Sequence, residues 1–393
     1  MKIAIVCTEK RPVPAVRGGA VETLVDLLIR DNEQHPYANL DIYSIDDSEA
    51  KARSTQFRHA HFYYMRTTDP FRPARRMMNR VCHKFRLAYF SDVFLVRTVR
   101  ALKKHNYDWI IVENRPKFIK RLRRKLGEEA RIALHLHNDV LNRTCYDARA
   151  VLQQCDRVLS VSKFIHARVV ETTAEARRKA RILYNRIDTA LFSPETKGRT
   201  IHRMREQSGI PENRPVVLYY GRLCAGKGVP NLIRAFARAR TVNPSFFLVL
   251  IGRFPCRKEL KQIRAALKTL PEHSYTLIDY LPHDELPKLV STADIIALPS
   301  LCHEAFGLTI AEAMALGKAV ITTDAGAIPE LVENRAALVV RTGRRFNERL
   351  ADALLRCAAN PKLRARLGAK AQAEALRRFR AEGYMEELLE RLN

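Results

Sequence analysis

No Cys-x-x-Cys pair occurs among the eight cysteines, which stand singly at positions 7, 82, 145, 155, 224, 256, 302 and 357. Zinc-ribbon spacing and a disulfide-stapled miniprotein are thereby excluded, and reduced thiols in a cytoplasmic protein are expected. No run approaches the ~18 consecutive apolar residues of a membrane span, so a soluble or peripheral protein is expected. A Gly-x-Gly-x-x-Gly fingerprint is missing, which disfavours a nicotinamide dehydrogenase. Acidic residues are scarce: 42 Asp+Glu face 69 Lys+Arg, a formal net charge of +27. With 47% hydrophobic residues over 393 positions the chain is nonetheless folded, not a basic disordered tail, and long enough for two domains.

What is present is alternation. MKIAIVCT enters a strand pattern directly and is expected to be the first strand of the mature fold. Strand-like runs follow at 40–45, 108–113, 131–137, 157–162 and 181–185. After a polar stretch at 192–200, FSPETKGRT, the alternation restarts at 215–221, 246–252, 275–280, 294–299, 319–323 and 336–340. Val/Ile/Leu strands separated by amphipathic helical segments imply α/β domains, each a doubly wound parallel sheet covered on both faces. The expected organisation is an amino-terminal domain over 1–190, a second domain over 191–372, and a basic helical tail over 373–393 that crosses back to the first.

Such sheets bind ligands beyond the carboxyl ends of their strands. After the first strand, Gly18 and Gly19 precede a helix, where glycines let a backbone approach a phosphate; paired glycines are also ordinary turn residues. LHLHND places His135 and His137 two apart, on one face of a strand, either near a ligand or hydrogen-bonded in the interior. Glu113 and Asn114 end another strand before a proline and either face a ligand cleft or cap the next helix. In the second half, YYGRLCAGKG puts Arg222 and Lys227 on one glycine-bearing loop. Two converging cations suit an anionic leaving group, with solvated surface charge the alternative. LPSLCHEAFGLTIAEAMALGKAVI sets Glu304 before a helix and Glu312 eight residues on. A helix start at Ala305, Phe306, Gly307 and Leu308 offers amides to phosphate, and the carboxylates can accept from sugar hydroxyls. From that start to Glu312 is about 9–10 Å, roughly the reach from a diphosphate to a ribose.

Taken together, GGAVETL, LHLHND, SVSKF, NRIDTALF, YYGRLCAGKG, the Ile-Gly at 251–252 and the block from Pro299 to Val332 resemble the retaining GT-B glycosyltransferases of family 4. The resemblance covers essentially the whole chain. It implies two Rossmann-like domains facing an interdomain cleft, with Glu304 and Glu312 holding the donor sugar and ribose. Arg222 and Lys227 would act on the pyrophosphate, Gly18 and Gly19 would form the amino-terminal phosphate loop, and His137 would stand near the transferred sugar. Phe306, Gly307 and Leu308 would belong to the donor site, and Glu113 and Asn114 are acceptor-side candidates. The chain departs from the family's usual glycine at Arg186, Phe254 and Asp279. There is no Asp-x-Asp, in keeping with catalysis that needs neither metal nor cofactor. The implied activity is retaining hexosyl transfer from a nucleotide-diphosphate donor, a UDP-sugar by preference, to a glycan or glycolipid of envelope, capsule, lipopolysaccharide or coat polysaccharide. A catalytically silent basic binding protein on the same fold is the alternative.

Between residues 66 and 125 stand 18 Lys and Arg against Asp69, Asp92, Asp108 and Glu113 alone. Basic and aromatic residues are not interleaved on a recognisable RNA- or DNA-binding motif, so nucleic acid is not expected as a partner. PFRPARRMMNRVCHKFRLAYF mixes Phe, Met, Leu and Tyr with Arg and Lys over a helical length, as an interfacial helix does. An anionic membrane or glycolipid surface on the inner face of the plasma membrane is the preferred partner, with a merely solvated face as the alternative.

Overall fold

The computed structural model describes residues 1–68, 71–85, 92–194, 198–279 and 281–393. Asp69, Pro70 and Arg86 of the basic zone, residues 195–197 of the polar stretch and Tyr280, the end of one expected strand, lie outside the described residues.

Two compact units are formed. The first comprises Met1–Arg186 and Ala381–Asn393, the second Ile187–Arg380. The boundaries expected after residues 190 and 372 lie close to, and not on, these limits. In the first unit a parallel sheet takes β1 (Lys2–Val6), β2 (Asn39–Ile45), β3 (Ala60–Met65), β4 (Trp109–Glu113), β5 (Ile132–Leu136), β6 (Arg157–Ser160) and β7 (Ala180–Ile182), in the order β3-β2-β1-β4-β5-β6-β7. In the second, β8 (Val216–Tyr220), β9 (Phe247–Ile251), β10 (Tyr275–Ile278), β11 (Ile295–Leu298), β12 (Ala319–Thr323) and β13 (Leu338–Val340) take the order β10-β9-β8-β11-β12-β13. Each sheet grows outward from its first strand in both directions, so each has a switch point, between β1 and β4 and between β8 and β11, where loops diverge and open a crevice. The central strands are largely aliphatic and, apart from Lys2 at the start of β1, buried, because helices cover both faces.

β3 was not expected. Its sequence, AHFYYM, has no continuous aliphatic run, because an edge strand that pairs only with β2 leaves its middle residues half-exposed. Tyr63 stacks on Tyr43 at 4.9 Å between ring centres and Phe62 on Tyr64 at 6.0 Å, so aromatic faces hold the edge where aliphatic burial does not.

The last helix, Tyr384–Leu392, packs on helix Ala20–Gln34 of the first unit. The Asp31 carboxylate accepts from the Gly383 N–H at 3.0 Å and the Met385 N–H at 2.8 Å. A carboxylate there satisfies otherwise orphaned donors and favours the positive end of the helix. Arg186, where the resembled family has glycine, pairs with Glu387 and sets its guanidinium over Tyr384. No helix among the described residues is long and apolar enough to cross a membrane.

Candidate active site

The candidate residues fall into two groups, one in each unit. In the second unit they sit on loops at the carboxyl ends of β8 and β11, the strands flanking the switch point. The loop after β8 makes one 3-10 turn, Ala225–Lys227, and ends at Gly228 with φ of 73°. A Cβ on Gly228 would overlap the Pro299 carbonyl, so only glycine lets this loop lie against the one after β11. That approach places Lys227 Nζ on the Glu304 carboxylate, joining two candidates 77 residues apart. Further ties fix the loop. The Glu259 carboxylate accepts from the Ala225 N–H at 2.8 Å, and the buried Tyr219 hydroxyl donates to the Arg222 carbonyl at 2.7 Å. The Arg222 side chain remains exposed.

Glu304 is pinned from the other side by the loop after β12. Its carbonyl accepts from the Ala327 N–H at 2.9 Å, and Gly326, with φ of 64°, presses so closely that a Cβ would collide with the Glu304 backbone. The following helix is Leu308–Ala315, with Gly307 as its N-cap at φ 112°. It opens later than the Ala305 start expected, because Ala305–Gly307 are not helical and Gly307 takes a positive φ. Ile310 and Ala311 donate to the Gly307 carbonyl, which leaves the Leu308 and Thr309 amides at the open end. Glu312 therefore stands about one turn, ~6 Å, beyond the first helical residue, a shorter span than expected. Its carboxylate is largely buried and takes a hydrogen bond from His283 Nε2 at 3.3 Å. Burial alone would lower the His283 pKa, but the hydrogen bond and charge of Glu312, helped by Asp188 and Asp284, outweigh it and raise the pKa above its ordinary value. The Phe306 ring is buried edge-on against Phe379 at 5.2 Å, so its side chain belongs to the interior and only its backbone is available to a ligand.

In the first unit, Gly18 and Gly19 take φ of 61° and 117° at the start of helix Ala20–Gln34. Glu22, in the first turn, is buried and accepts from the Thr8 hydroxyl at 2.5 Å, so a carboxylate already stands at this helix's positive end. Glu113, Asn114, His135 and His137 come together at the ends of β4 and β5, all buried. Glu113 bridges both imidazoles: Oε2 lies 2.7 Å from His137 Nε2 and 3.2 Å from His135 Nδ1. His137 Nδ1 faces Asn185 Oδ1 at 3.2 Å, and the His137 N–H donates to Asn114 Oδ1 at 3.2 Å. Burial would raise the Glu113 carboxyl, but a charge on His135 and hydrogen bonds from both rings hold it down at about 2. Burial and His135 lower the His137 pKa, against the opposing pull of Glu113.

Glu113, His135 and His137 offer donor atoms within 4.8 Å of one another, a set that could close on a metal ion. Two ligands ~2 Å from a tetrahedral zinc stand ~3.3 Å apart, whereas the Glu113–His137 contact is 2.7 Å, the length of a charge-assisted hydrogen bond. A shared proton fits this pair better than an ion. Sequence reasoning missed His283 and Asn185. Both lie in quoted or adjacent motifs, LPHDEL and LYNRID, but neither sits on a glycine loop or a helix start, so nothing local marked them.

Two parallel-sheet, Rossmann-like units define a GT-B glycosyltransferase fold. Residues 200–374 match the family model described as glycosyl transferases group 1. Over its length the chain is 28% identical to Bacillus subtilis YtcC, named as a glycosyltransferase, across 86% of this chain and 79% of that protein. It is 25% identical to spore coat protein SA of the same organism, across 99% and 98%. Among solved structures it is similar to Anabaena Alr3699/HepE in complex with UDP and glucose, with a TM-score of 0.77, 21% identity, and 100% and 99% of the two chains covered.

Proposed function

We propose that the chain moves a hexosyl group, with retention of configuration, from a UDP-sugar to a hydroxyl of a glycan or glycolipid in envelope, capsule, lipopolysaccharide or coat polysaccharide synthesis. The observation that carries this reading is the second unit's constellation: Arg222 and the Lys227–Glu304 pair beside the open Leu308 and Thr309 amides, with Glu312 one turn further on. Amides and cations suit a diphosphate, Glu304 a sugar hydroxyl and Glu312 a ribose. UDP and glucose in the HepE structure support the donor class, and the spore coat relative supports a coat or envelope polysaccharide. Retention and family 4 rest on the motif resemblance.

In this mechanism the bond from the anomeric carbon to the phosphate oxygen breaks and its electron pair stays on the diphosphate. Arg222, Lys227 and the helix amides stabilise the developing charge. The acceptor hydroxyl forms the new bond on the same face and gives its proton to the departing phosphate oxygen. Fixed cations neutralise the leaving group, so the mechanism calls for no metal or cofactor. His137 is a site residue by the motif resemblance alone; with both ring nitrogens engaged by Glu113 and Asn185, it is assigned no proton transfer.

The acceptor reading extends to a membrane surface. Helix Arg72–Lys84 and its flanks expose Phe71 (67%), Met77 (64%), Met78, Val81 and Phe85 beside Arg76, Arg80 and Lys84. Apolar and cationic side chains exposed on one helix suit the boundary of an anionic bilayer. The basic zone does not act as one patch, however: Arg115 pairs with Glu9, and Arg123 is buried, bonding Asp156 at 2.7 Å and several backbone carbonyls.

The experiment is a thermal-shift screen against UDP-, GDP-, ADP- and CMP-sugars, followed by donor turnover and the anomeric configuration of the product by NMR. Stabilisation by UDP-sugars with retained configuration is expected. Binding with neither hydrolysis nor transfer would leave the silent binding protein.

A further inference from the structure

Both carboxylates of the donor site are paired with a cation. Lys227 holds Glu304, and His283 Nε2 lies 3.3 Å from Glu312 Oε1. The imidazole is fixed from a second side by the buried Phe192, whose ring it meets edge-on at 5.2 Å. A largely buried carboxylate about a turn from amides aimed at a diphosphate would repel that diphosphate unless neutralised. Lysine supplies a permanent charge for one carboxylate, but histidine supplies a conditional one for the other.

We propose that His283 is a positioning residue for the nucleotide: it holds Glu312 toward the ribose and neutralises it, so that donor affinity depends on one proton. This rests on the assignment of Glu312 to the ribose. Asp188, from the segment after β7, and Asp284, its own neighbour in the loop, reinforce the imidazolium together with Glu312 on its helix. The direction follows. A raised imidazole pKa extends the charged form of His283 to higher pH than an ordinary imidazole, and the charge is lost as pH rises through that pKa. Donor binding is therefore tightest on the acid side and weakens toward alkaline pH. The pair is partly solvated, with nearly half of the His283 side chain exposed, so the expected loss is about fivefold and not the tenfold or more of a dry pair.

The test is calorimetry with UDP-glucose between pH 6 and pH 8.5, a range in which its diphosphate diester keeps one charge state. Wild-type affinity is expected to fall about fivefold across the range. His283→Gln should bind weakly at both ends with no slope, and His283→Lys tightly at both ends. His303, next to Glu304 in the chain, is the control histidine, and His303→Gln should keep the wild-type slope. In turnover the change should fall on KM and spare kcat, since ribose contacts are alike in ground and transition states. A wild-type slope retained in His283→Gln, or lost only in His303→Gln, overturns the proposal. Glu312→Gln should be weak and flat. If it binds like wild type at every pH, the ribose assignment itself fails, a result distinct from a failure of His283.

Discussion

Removal of Lys227 tests the proposed donor site most sharply, because the pair seen in the structure and the role proposed for it are separable. Lys227 neutralises Glu304, and under the proposed mechanism it also stabilises the leaving diphosphate. Both partners are largely buried, 21% and 14% exposed, so Lys227→Ala strips a carboxylate of its cation in the space a diphosphate must enter. The fold should lose only about 1 kcal/mol, as the pair still reaches water. Turnover should fall ~10²–10³-fold, the cost of one preorganised stabiliser, about 3–4 kcal/mol. The double variant Lys227→Ala/Glu304→Gln separates the duties. If Lys227 acts on the leaving group, removing the Glu304 charge as well restores little. If it only balances Glu304, most of the rate returns. The assay is single-turnover transfer from a UDP-sugar, with circular dichroism to verify folding. Near-native rates in Lys227→Ala, or full recovery in the double variant, would refute the leaving-group role.

Glu312→Ala should weaken binding of free UDP by calorimetry, whereas Glu304→Ala should mainly slow transfer by misplacing the sugar; equal losses of UDP affinity would contradict that division. The Glu113 pKa, held at about 2 against an ordinary 4.5, adds stability that is complete above pH ~5 and is lost as pH falls toward 2. Glu113→Gln should therefore cost up to about 3 kcal/mol near neutrality and flatten the acid limb of a urea-midpoint profile, and an unchanged limb would count against the bridge. Anionic vesicles should bind the chain strongly at low salt and weakly by ~0.5 M salt, and less well after Arg72, Arg75, Arg76 and Arg80 are changed to Gln; equal binding to neutral vesicles would favour a soluble acceptor.

The aliphatic runs by themselves determined the architecture. A parallel strand buried on both faces has few alternatives to Val, Ile and Leu, and among the described residues every strand but β3 overlaps a run marked in the sequence. The loops that carry the candidate residues were legible for a similar local reason: Arg222 and Lys227 stand on one glycine-bearing loop before a helix, and Glu304 and Glu312 lie on either side of a helix start. Edge strand β3 escaped because it is held by pairing with β2 and by aromatic stacks such as Tyr63 on Tyr43, not by a continuous aliphatic run. Tertiary structure alone decided the partnerships. Lys227 meets Glu304 across 77 residues and Glu113 bridges two imidazoles at the end of the adjacent strand, because parallel strands bring their carboxyl ends side by side however far apart they lie in sequence, while His283 meets Glu312 where a loop after β10 reaches a helix after β11. The same assembly buried Arg123 among carbonyls while leaving Arg76 and Arg80 in water. Composition counts such cations alike, but their energies depend on which atoms surround them once the chain has folded.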